Sequence, residues 1–523
     1  MTAFSLEPEQ LAWCDELRAL AAERLRPLAE KGEPGRVNRA LVAELGALGL
    51  LSRLFTSGAL DLCLMRESLA RACTEAETAL ALQGLGAHPV HAHGTESQRA
   101  RWLPGVSDGT VVAAFALSEP DAGSDAAALS LRAEPEGGRD GTGGGAGAAS
   151  PSPDAGRRTA AQAGPREGGP SAGRWPATGQ GTAARQGAAS GHGAAARQGP
   201  VTGSPVTGSP VTGSSVTGSP VTGAEPPAAG QEAVTGQSPA KAAGPSATDA
   251  DTAPTGAGRP PAPGTPPAPL TADADGTSAW RLTGEKCWIS NAPEADFYTV
   301  FARTTPGAGA RGVTAFLVPA DRPGLTGTPL DMLSPHPIGA LTFDAVPVTA
   351  DDVLGVPDRG FRVAMDTLNL FRPSVGAFAV GMAQAALDAT LAHTAARDAF
   401  GGKLCDLQAV AHQVAEMALR TEAARLLVYA AATAYDAGAP DVPKRAAMAK
   451  LLATESAQYV VDRAVQLHGA RALRRGHLLE HLYREVRAPR VYEGASEVQR
   501  GIVAKELYRT HRTQGAATEE AGA

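Results

Sequence analysis

The sequence is poor in the features that mark secreted, membrane-spanning and nucleic-acid-binding proteins. Among its 523 residues are five cysteines, which are odd in number and never form a CxxC pair. This pattern predicts neither a disulfide framework nor a zinc site, and it fits a reducing compartment. A formal net charge of −7 argues against a general nucleic-acid binder, which needs a basic surplus on one face. No stretch approaches the ~18 uninterrupted apolar residues of a membrane span.

The N-terminus also lacks a targeting signal. It has neither a basic n-region nor an apolar h-region, and Glu7 and Glu9 make it acidic early. Secretory signals and organelle transit peptides have the opposite character. Together these absences predict a cytoplasmic protein with no membrane span and no metal site.

Large apolar residues are almost missing from residues 135–278. This segment holds runs of glycine and proline, and a VTGSP repeat with one serine variant spans residues 201–223. A segment that buries so little apolar surface does not offset the entropy lost on ordering its backbone. We therefore predict a disordered insert. A tolerated expansion is the simpler interpretation than a binding or tethering role, since loop-closure cost grows slowly with length.

Hydrophobic periodicity divides the remaining residues into three regions. Residues 1–110 are predicted to form a helical domain, and residues 356–512 a helical bundle with a flexible tail at 513–523. Between them, residues 111–134 and 279–355 alternate as short strands, which indicates an antiparallel β domain. The insert interrupts a hairpin of that domain, so the predicted fold class is α+β, multidomain.

Local signals predict the individual elements. Helices are expected over residues 8–28, 36–48, 60–71, 75–85, 96–103, 406–437, 444–467 and 476–487. Another helix is expected to open at Arg372-Pro373 and to run through His393. Strands are expected at 111–117, 127–133, 280–283, 287–290, 297–302, 312–318 and 339–343. Turns are expected at Gly86, Pro89, Gly94 and Pro104.

One carboxylate near the C-terminus is a candidate catalytic group. Residues 491–500 read VYEGASEVQR, and the small residues after Glu493 let a flat ligand approach it closely. Apolar residues then recur at helical spacing, which places Glu493 on a loop that leads into a helix. A carboxylate in a dehydrated pocket has a raised pKa and is a useful proton acceptor. Taken alone, such an acid is more often an exposed turn residue.

Four motifs carry a family resemblance. The chain reads FALSEPDAGSD at 115–125, GEKCWISN at 284–291, RDAFGGKL at 397–404 with Gln408, and Tyr483-Arg484 ahead of YEG at 492–494. In this order the motifs resemble the acyl-CoA dehydrogenase family, and the resemblance covers the chain outside residues 135–278. It implies an N-terminal helical domain, a middle antiparallel β-barrel and a C-terminal four-helix bundle. It also implies a homo-oligomer, a tetramer or a dimer, that binds FAD.

The resemblance assigns a cofactor site to specific residues. Ser118 and Ser124 would meet the pyrimidine edge of the flavin, and Trp288 would pack on the isoalloxazine. Arg397 and Gln408 would reach the pyrophosphate from a neighbouring subunit, a task that suits a guanidinium because it contacts phosphate bidentately. Taken singly, these are ordinary turn, core and helix-end residues. The implied cofactor-binding set is Phe115, Leu117, Ser118, Gly123, Ser124, Trp288, Ile289, Ser290, Arg397, Phe400, Gln408, Gln466, Gly469, Ala470, Ala495, Ser496 and Glu497.

The implied chemistry is desaturation of an acyl-CoA or acyl-carrier thioester between its α and β carbons. Glu493 is the implied base for the α-proton, and flavin N5 accepts the hydride from Cβ. Some branches of the family carry the base at the position of Phe371, which cannot accept a proton. The implied substrate-binding residues are Ser124, Asn369, Arg372, Tyr492 and Gly494. Asn369 stands where members often have an Asp that contacts CoA, which leaves room for a carrier-protein thioester.

Three segments depart from the family pattern. Members often show QxxGGxG where residues 466–472 read QLHGARA, and Ala495 replaces a threonine. Both changes alter expected contacts with FAD. Glutaryl-type members hold a distal carboxylate with an Arg-Ser pair, which aligns approximately with Glu77-Thr78 here. Because an acid repels a dicarboxylate, a neutral acyl group is favoured.

Three functions stay open at this point. The first is an FAD-dependent dehydrogenase that passes electrons to an electron-transfer flavoprotein. The second is an acyl-CoA oxidase or flavin monooxygenase on the same fold, although a monooxygenase needs no α-proton base such as Glu493. The third is a non-catalytic DNA-binding relative, which only the basic cluster Arg471, Arg474 and Arg475 supports and which the net acidity opposes.

Overall fold

The computed structural model describes residues 6–136 and 280–522. The predicted insert at 135–278 lies outside the described residues except for its first two positions. Pro135 and Glu136 are described, and Pro135 belongs to a strand rather than to the insert. The boundary placed after residue 134 is therefore one residue too early.

The N-terminal region is helical, as predicted. Its helices are α1 (Pro8–Leu20), α2 (Arg26–Ala29), α3 (Arg39–Ala47), α4 (Leu50–Thr56), α5 (Ala59–Ala72), α6 (Thr74–His93) and α7 (Glu96–Asp108), with a π-helical segment at Ala21–Leu25. Helix α1 begins with a capping box, in which the Glu7 backbone N–H donates to Gln10 at 3.0 Å. Such boxes satisfy N-H groups that a helix start leaves without partners.

Three of the predicted turns are wrong. Gly86 and Pro89 lie inside α6, and Pro104 lies inside α7. Gly86 allows a close approach between helix and sheet, because a Cβ on it would lie 2.6 Å from the backbone nitrogen of Ala114. Burial of the helix against the sheet thus outweighs the weak helix propensity of glycine and proline.

The middle region is a mixed sheet rather than a purely antiparallel one. Its strands are β1 (Ala113–Ala116), β2 (Arg132–Pro135), β3 (Trp280–Ser290), β4 (Phe297–Arg303), β5 (Val313–Pro319), β6 (Leu325–Pro329), β7 (Ile338–Val348) and β8 (Val353–Leu354). Their order is β6-β7-β3-β2-β4-β5-β8, with β1 also on β4. Both β1 and β2 pair with β4 in parallel. Among the described residues this path ends at β6 and β8, so closure into a barrel stays a prediction.

Two strand predictions need correction. The strand expected at 127–133 starts later, at Arg132, because Ala126–Ala128 forms a 3-10 turn. The two strands expected at 280–283 and 287–290 are one strand, β3, whose register with β7 shifts twice. One shift falls between Lys286 and Ile289, and it gives Trp288 a left-handed backbone with φ of 62°. Trp288 therefore does not follow the regular alternation of a strand.

The C-terminal region consists of α8 (Gly360–Ala396), a small hairpin of β9 (Asp398–Ala399) and β10 (Gly402–Lys403), α9 (Gln408–Asp436), α10 (Val442–His468), α11 (Leu478–Glu485) and α12 (Ser496–Gly522). The helix start predicted at Arg372-Pro373 is wrong, since both residues lie inside α8. The flexible tail predicted from 513 is helical through Gly522. In the described part of the chain, α8 alone is long and apolar enough to cross a membrane, yet most of its apolar stretch is buried within the protein.

Hydrophobic packing joins the regions. One core cluster contains residues of both helical regions, for example Leu64 of α5 with Phe378 of α8 and Val460 of α10. Another joins α6 and the start of α8 to the sheet through Phe297 and Phe301. Helices α6 and α8 contribute residues to both clusters. Residues that are distant in sequence are therefore held together near the start of α12.

A buried ion pair also connects the sheet region to the C-terminal helices. Nε2 of His336, on the loop before β7, lies 2.5 Å from Oε2 of Glu485 at the end of α11. Burial opposes the charge on His336, but Glu485 and its hydrogen bond outweigh it, so the pKa of His336 is raised. Burial likewise disfavours the Glu485 carboxylate, yet His336 holds the pKa of Glu485 below its ordinary value.

We expect this pair to make stability depend on pH. A histidine whose pKa is raised in the folded state contributes stability that is fully present below its unfolded pKa of about 6.5. That contribution is lost as pH rises through the folded pKa, while Glu485 stays ionised. The melting temperature of the wild type should therefore fall more steeply between pH 6 and 9 than that of His336→Gln. Equal slopes would contradict the pair, and His412→Gln, which changes an exposed histidine, is the matched control.

Candidate active site

The loop that carries Glu493 has an unusual backbone. Glu493 has a φ of 51° and Gly494 a φ of 92°, so two consecutive residues are left-handed just before α12 begins at Ser496. A side chain at 494 would also be blocked, since a Cβ there would lie 2.5 Å from Nε2 of Gln499. Non-glycine residues with positive φ need support from their surroundings. The loop is therefore a fixed feature and not a free turn.

Hydrogen bonds to successive carbonyls supply that support. Lys450 Nζ donates to the carbonyl oxygens of Tyr492 at 3.0 Å and of Gly494 at 2.7 Å. Gln499 Nε2 donates to the carbonyl oxygens of Glu493 at 3.1 Å and of Gly494 at 2.9 Å. Both side chains are fully buried. Lys450 and Gln499 thus hold the backbone on both sides of the carboxylate.

Arg372 adds a third donor from α8. Its Nε donates to the carbonyl oxygen of Glu493 at 3.3 Å, and its Nη1 lies 3.4 Å from Oδ1 of Asn369. Arg372 is almost completely buried. The structure therefore brings together Glu493, Arg372, Asn369, Tyr492 and Gly494, which the sequence had singled out. We call the donors Lys450, Gln499 and Arg372 the carbonyl clamp.

Glu493 is half-buried, and its carboxylate lies in a positively charged setting. Burial raises the pKa of Glu493 above its ordinary value, while Arg66, Lys450 and Arg372 lower it in part. Its Oε2 is shielded from solvent and has no hydrogen-bond partner among the described residues. A carboxylate with one uncommitted oxygen and a raised pKa is suited to accept a proton.

A buried ion pair lies behind this carboxylate. Nε of Arg66, on α5, contacts Oε1 of Glu77, on α6, and Nη1 of Arg66 donates to the Ser374 hydroxyl at 2.7 Å. Neither Arg66 nor Glu77 is exposed by more than 3%. Burial raises the pKa of Glu77, and Arg66 opposes that shift. Glu77 is therefore a compensated charge and not a free acid.

Arg66 and Lys450 belong to the site but were not predicted from the sequence. A signal for Lys450 existed, because it shares a helical stripe with Ala446, Ala449 and Ala453, all of which are buried in α10. A lysine on an otherwise alanine face indicates a buried cation. Arg66 gave no comparable signal, since its partners lie on α6 and α8 and only tertiary packing brings them together.

A second group of predicted residues surrounds the turn after β1. The buried carboxylate of Glu119 accepts hydrogen bonds from the Ser130 N–H at 2.6 Å and from Lys286 Nζ at 2.9 Å. The Cys287 N–H donates to the Ser118 carbonyl at 3.0 Å. These contacts fix the Ser118 turn against β3, which carries Trp288. Burial and the Glu119 charge act in opposite directions on Lys286, and burial wins, lowering its pKa to about 8.

Exposure separates the members of this second group. Trp288 is 52% exposed, although Lys286 two residues before it and Ile289 directly after it are buried. Gly123 and Ser124 are also exposed, and Ser118 and Ser290 are half-buried. In contrast, the side chains of Leu117 and Ile289 are buried, and the Phe115 ring packs 4.9 Å from that of Phe301. Leu117 and Ile289 can therefore offer a ligand only their backbone.

A third group lies at one end of the helical bundle. Arg397, Phe400 and Gln408 are exposed around the β9–β10 hairpin, and Phe400 is 89% exposed. Gln466, Gly469 and Ala470, at the end of α10, are exposed as well. The two segments are adjacent, because the rings of His393 and His468 stack with centroids 4.2 Å apart. Ala495 is half-buried and Glu497 exposed, whereas Ser496 is buried and its hydroxyl donates to Glu455 at 2.6 Å.

Along the chain, one helical region precedes a mixed sheet and a second follows it, and a carboxylate with a raised pKa lies just before the last helix. Three family models match the chain: "Acyl-CoA dehydrogenase, N-terminal domain" at residues 7–110, "middle domain" at 261–346 and "C-terminal domain" at 358–508. The chain belongs to the acyl-CoA dehydrogenase family, and the resemblance of its motifs is thereby confirmed.

Named relatives agree with the family models. The chain is 39% identical over 241 residues to "Probable acyl-CoA dehydrogenase FadE25" of Mycobacterium tuberculosis, an alignment that covers 46% of this chain and 62% of that protein. It is 42% identical over 246 residues to "Short-chain specific acyl-CoA dehydrogenase, mitochondrial" of Bos taurus, covering 46% and 59%. The chain thus spans about three fifths of the length of these curated relatives.

Solved structures share the fold. The structure of butyryl-CoA dehydrogenase from Megasphaera elsdenii has a TM-score of 0.66 at 24% identity, over 97% of this chain and 99% of that one. The structure titled "PigA with FAD and proline" also has a TM-score of 0.66, at 20% identity over 96% and 98%. At these identities the likeness concerns the fold alone.

We expect the ion pair behind Glu493 to be coupled tightly. Arg66→Met leaves the Glu77 carboxylate buried without a partner, which should lower the free energy of unfolding by about 3–5 kcal/mol. Arg66→Met combined with Glu77→Met removes both charges and should cost much less. Urea denaturation of the two single variants and the double variant measures this coupling.

The control for this cycle is Arg509→Met, which breaks an exposed pair with Glu506. Exposed pairs contribute roughly 0–1 kcal/mol. The pair is not coupled if Arg66→Met lowers the free energy of unfolding no more than Arg509→Met does. It is also not coupled if the loss in the double variant equals the sum of the losses in the two single variants.

Proposed function

We propose that this protein is an FAD-dependent dehydrogenase that desaturates an acyl thioester between its α and β carbons, with Glu493 as the base. The observation that carries the proposal is the state of Glu493. Its carboxylate is desolvated, its pKa is raised, its Oε2 has no partner in the described structure, and its backbone is clamped. Proton removal α to a carbonyl needs a base with these properties.

The residues around Trp288 fit a flavin. The large apolar ring of Trp288 is 52% exposed, and a flat aromatic cofactor packed on it would remove that apolar surface from water. The nearby turn presents exposed backbone and the hydroxyls of Ser118 and Ser124 for a polar ring edge. FAD supplies, when bound, an acceptor for the hydride that no protein side chain can replace.

The residues of this chain remove the α-proton and hold the thioester carbonyl. Glu493 takes the α-proton of the thioester on its free carboxylate oxygen, Oε2. The backbone N–H of Glu493 holds the thioester carbonyl, where negative charge develops as the proton leaves. Arg372 and Lys450 act on the loop carbonyls and keep the base in place. Phe371 takes no part in proton transfer, because its side chain has no basic atom; its buried ring packs near Gly84 and His88.

The acyl group is proposed to be neutral. Glu77 does not repel a distal carboxylate as a free acid would, since Arg66 compensates its charge. Arg66 is paired with Glu77, and Arg372 and Lys450 are engaged with loop carbonyls, so none of the three is offered to a distal carboxylate. Arg372 engages Oδ1 of Asn369, which leaves the amide nitrogen of Asn369 for either a CoA or a carrier-protein thioester.

The wider setting is also part of the proposal. Arg397, Phe400 and Gln408 are exposed, which supports a role in completing a cofactor site on a second copy of the chain in a homo-oligomer, a tetramer or a dimer. An electron-transfer flavoprotein in the cytoplasm is the proposed electron acceptor. An acyl-CoA oxidase is the alternative outcome, and it differs in reacting rapidly with oxygen after reduction.

We expect Glu493→Gln to keep its flavin and to lose its reduction. The amide has nearly the same shape but no basicity, and a general base typically contributes about 10²–10⁴-fold to rate. Anaerobic stopped-flow mixing with butyryl-CoA and longer straight-chain acyl-CoAs, monitored at the flavin absorption band, measures the reduction rate. Glu16→Gln, which changes an exposed acid on α1, should behave as wild type. Reduction of Glu493→Gln at the wild-type rate would refute the assignment of the base.

A further inference from the structure

Lys450 is the one charged residue on an otherwise small, apolar stripe of α10. Its neighbours on that stripe, Ala449 and Ala453, let α8 approach closely, since a Cβ on Gly376 of α8 would lie 3.3 Å from the Cβ of Ala453. Lys450 itself has no exposed surface. An ammonium is strongly hydrated, and its transfer into such a setting is costly unless its donors are used.

The donors of Lys450 are used on the catalytic loop. Nζ bonds the carbonyl oxygens of Tyr492 and Gly494, the residues directly before and after Glu493. No step of the proposed chemistry requires an amine at this place. Its position on both sides of the base, rather than against the base, indicates a role in geometry.

The charges that face Lys450 come from several elements. They are Glu493 on the loop, Arg372 on α8, Glu455 on its own helix and Glu497 on α12. Burial lowers the pKa of Lys450 to about 8, while Glu493 acts in the opposite direction. Reciprocally, Lys450 is one of three cations that favour the ionised form of Glu493. The ammonium is therefore coupled to the base through charge as well as through the loop backbone.

We propose that Lys450 is a positioning residue for Glu493, which fixes the carbonyls on both sides of it and holds a positive charge near its carboxylate. The inference rests on the proposed function, since it assumes that Glu493 is the base. It predicts two separable effects of removing Lys450. Loss of the carbonyl contacts slows the reaction at every pH, and loss of the charge moves its acid limb to higher pH.

The test uses Lys450→Met, which keeps the length of the side chain and removes both donors and charge. We expect full flavin content and unchanged oligomer mass. The limiting rate of flavin reduction should fall on the order of 100-fold, the size expected when a catalytic group is displaced by about 1 Å. The acid limb of the rate profile should shift upward, because a carboxylate that loses a nearby cation has a higher pKa. Lys31→Met, at an exposed lysine, is the control.

Two further measurements separate positioning from a merely structural role. In Lys450→Ala, added ethylamine should restore part of the rate, because its ammonium can occupy the space that the lysine leaves. Amide hydrogen exchange should become faster over residues 490–499 and stay unchanged over α5 and α9. If Lys450→Met does not fold, Lys450→Gln keeps an N–H donor without charge, and it should still show the shifted acid limb.

The outcomes are distinguishable. The inference is overturned if Lys450→Met reduces its flavin at the wild-type rate with an unshifted acid limb. It is also overturned if the variant is slow but its acid limb is unshifted, exchange over 490–499 is unchanged and ethylamine does not rescue Lys450→Ala. If the wild type is reduced by no acyl thioester, the proposed function fails instead. In that case the exchange measurement still decides whether Lys450 holds the loop.

Discussion

The structure depends on keeping one carboxylate dry while surrounding it with cations. Glu493 is desolvated, and Arg66, Arg372 and Lys450 come to it from α5, α8 and α10. Those three helices belong to a single hydrophobic core that joins the N-terminal and C-terminal regions. The mutual packing of the two helical regions therefore determines which charges surround Glu493.

Compensation of charge follows from the same constraint. Three cations around one acid would leave a net positive charge in a region of low dielectric, and Glu77 offsets part of it through Arg66. The pair Glu119–Lys286 plays a similar part at the Ser118 turn, where it fixes a segment with exposed backbone against β3. Buried pairs of this kind are weak contributors to stability. Here Glu119–Lys286 holds the Ser118 turn in place, and Arg66–Glu77 links α5 to α6.

Much of this arrangement can be predicted from sequence, and what cannot is long-range. Motifs around Glu493, Trp288 and Arg397 identify the family because their spacing is local. Pairing of β1 and β2 with β4 in parallel is invisible to alternation, which is the same for both directions of a strand. The continuation of α6 through Gly86 and Pro89 reflects burial, which overrides propensity. Arg66 and Glu77 form their pair only once α5, α6 and α8 have packed.

The register of β2 and β3 has a consequence for the chain between them. Pro135 pairs with Trp280 in an antiparallel ladder, so the polypeptide leaves the sheet and re-enters it at directly opposed positions. An ordinary tight turn would bridge the same gap. The sheet therefore sets no upper bound on the number of residues between β2 and β3, and their number does not affect the position of Glu493, which depends on other elements. The end of the β2–β3 ladder is therefore a place where the length of the chain can change without displacing the rest of the sheet.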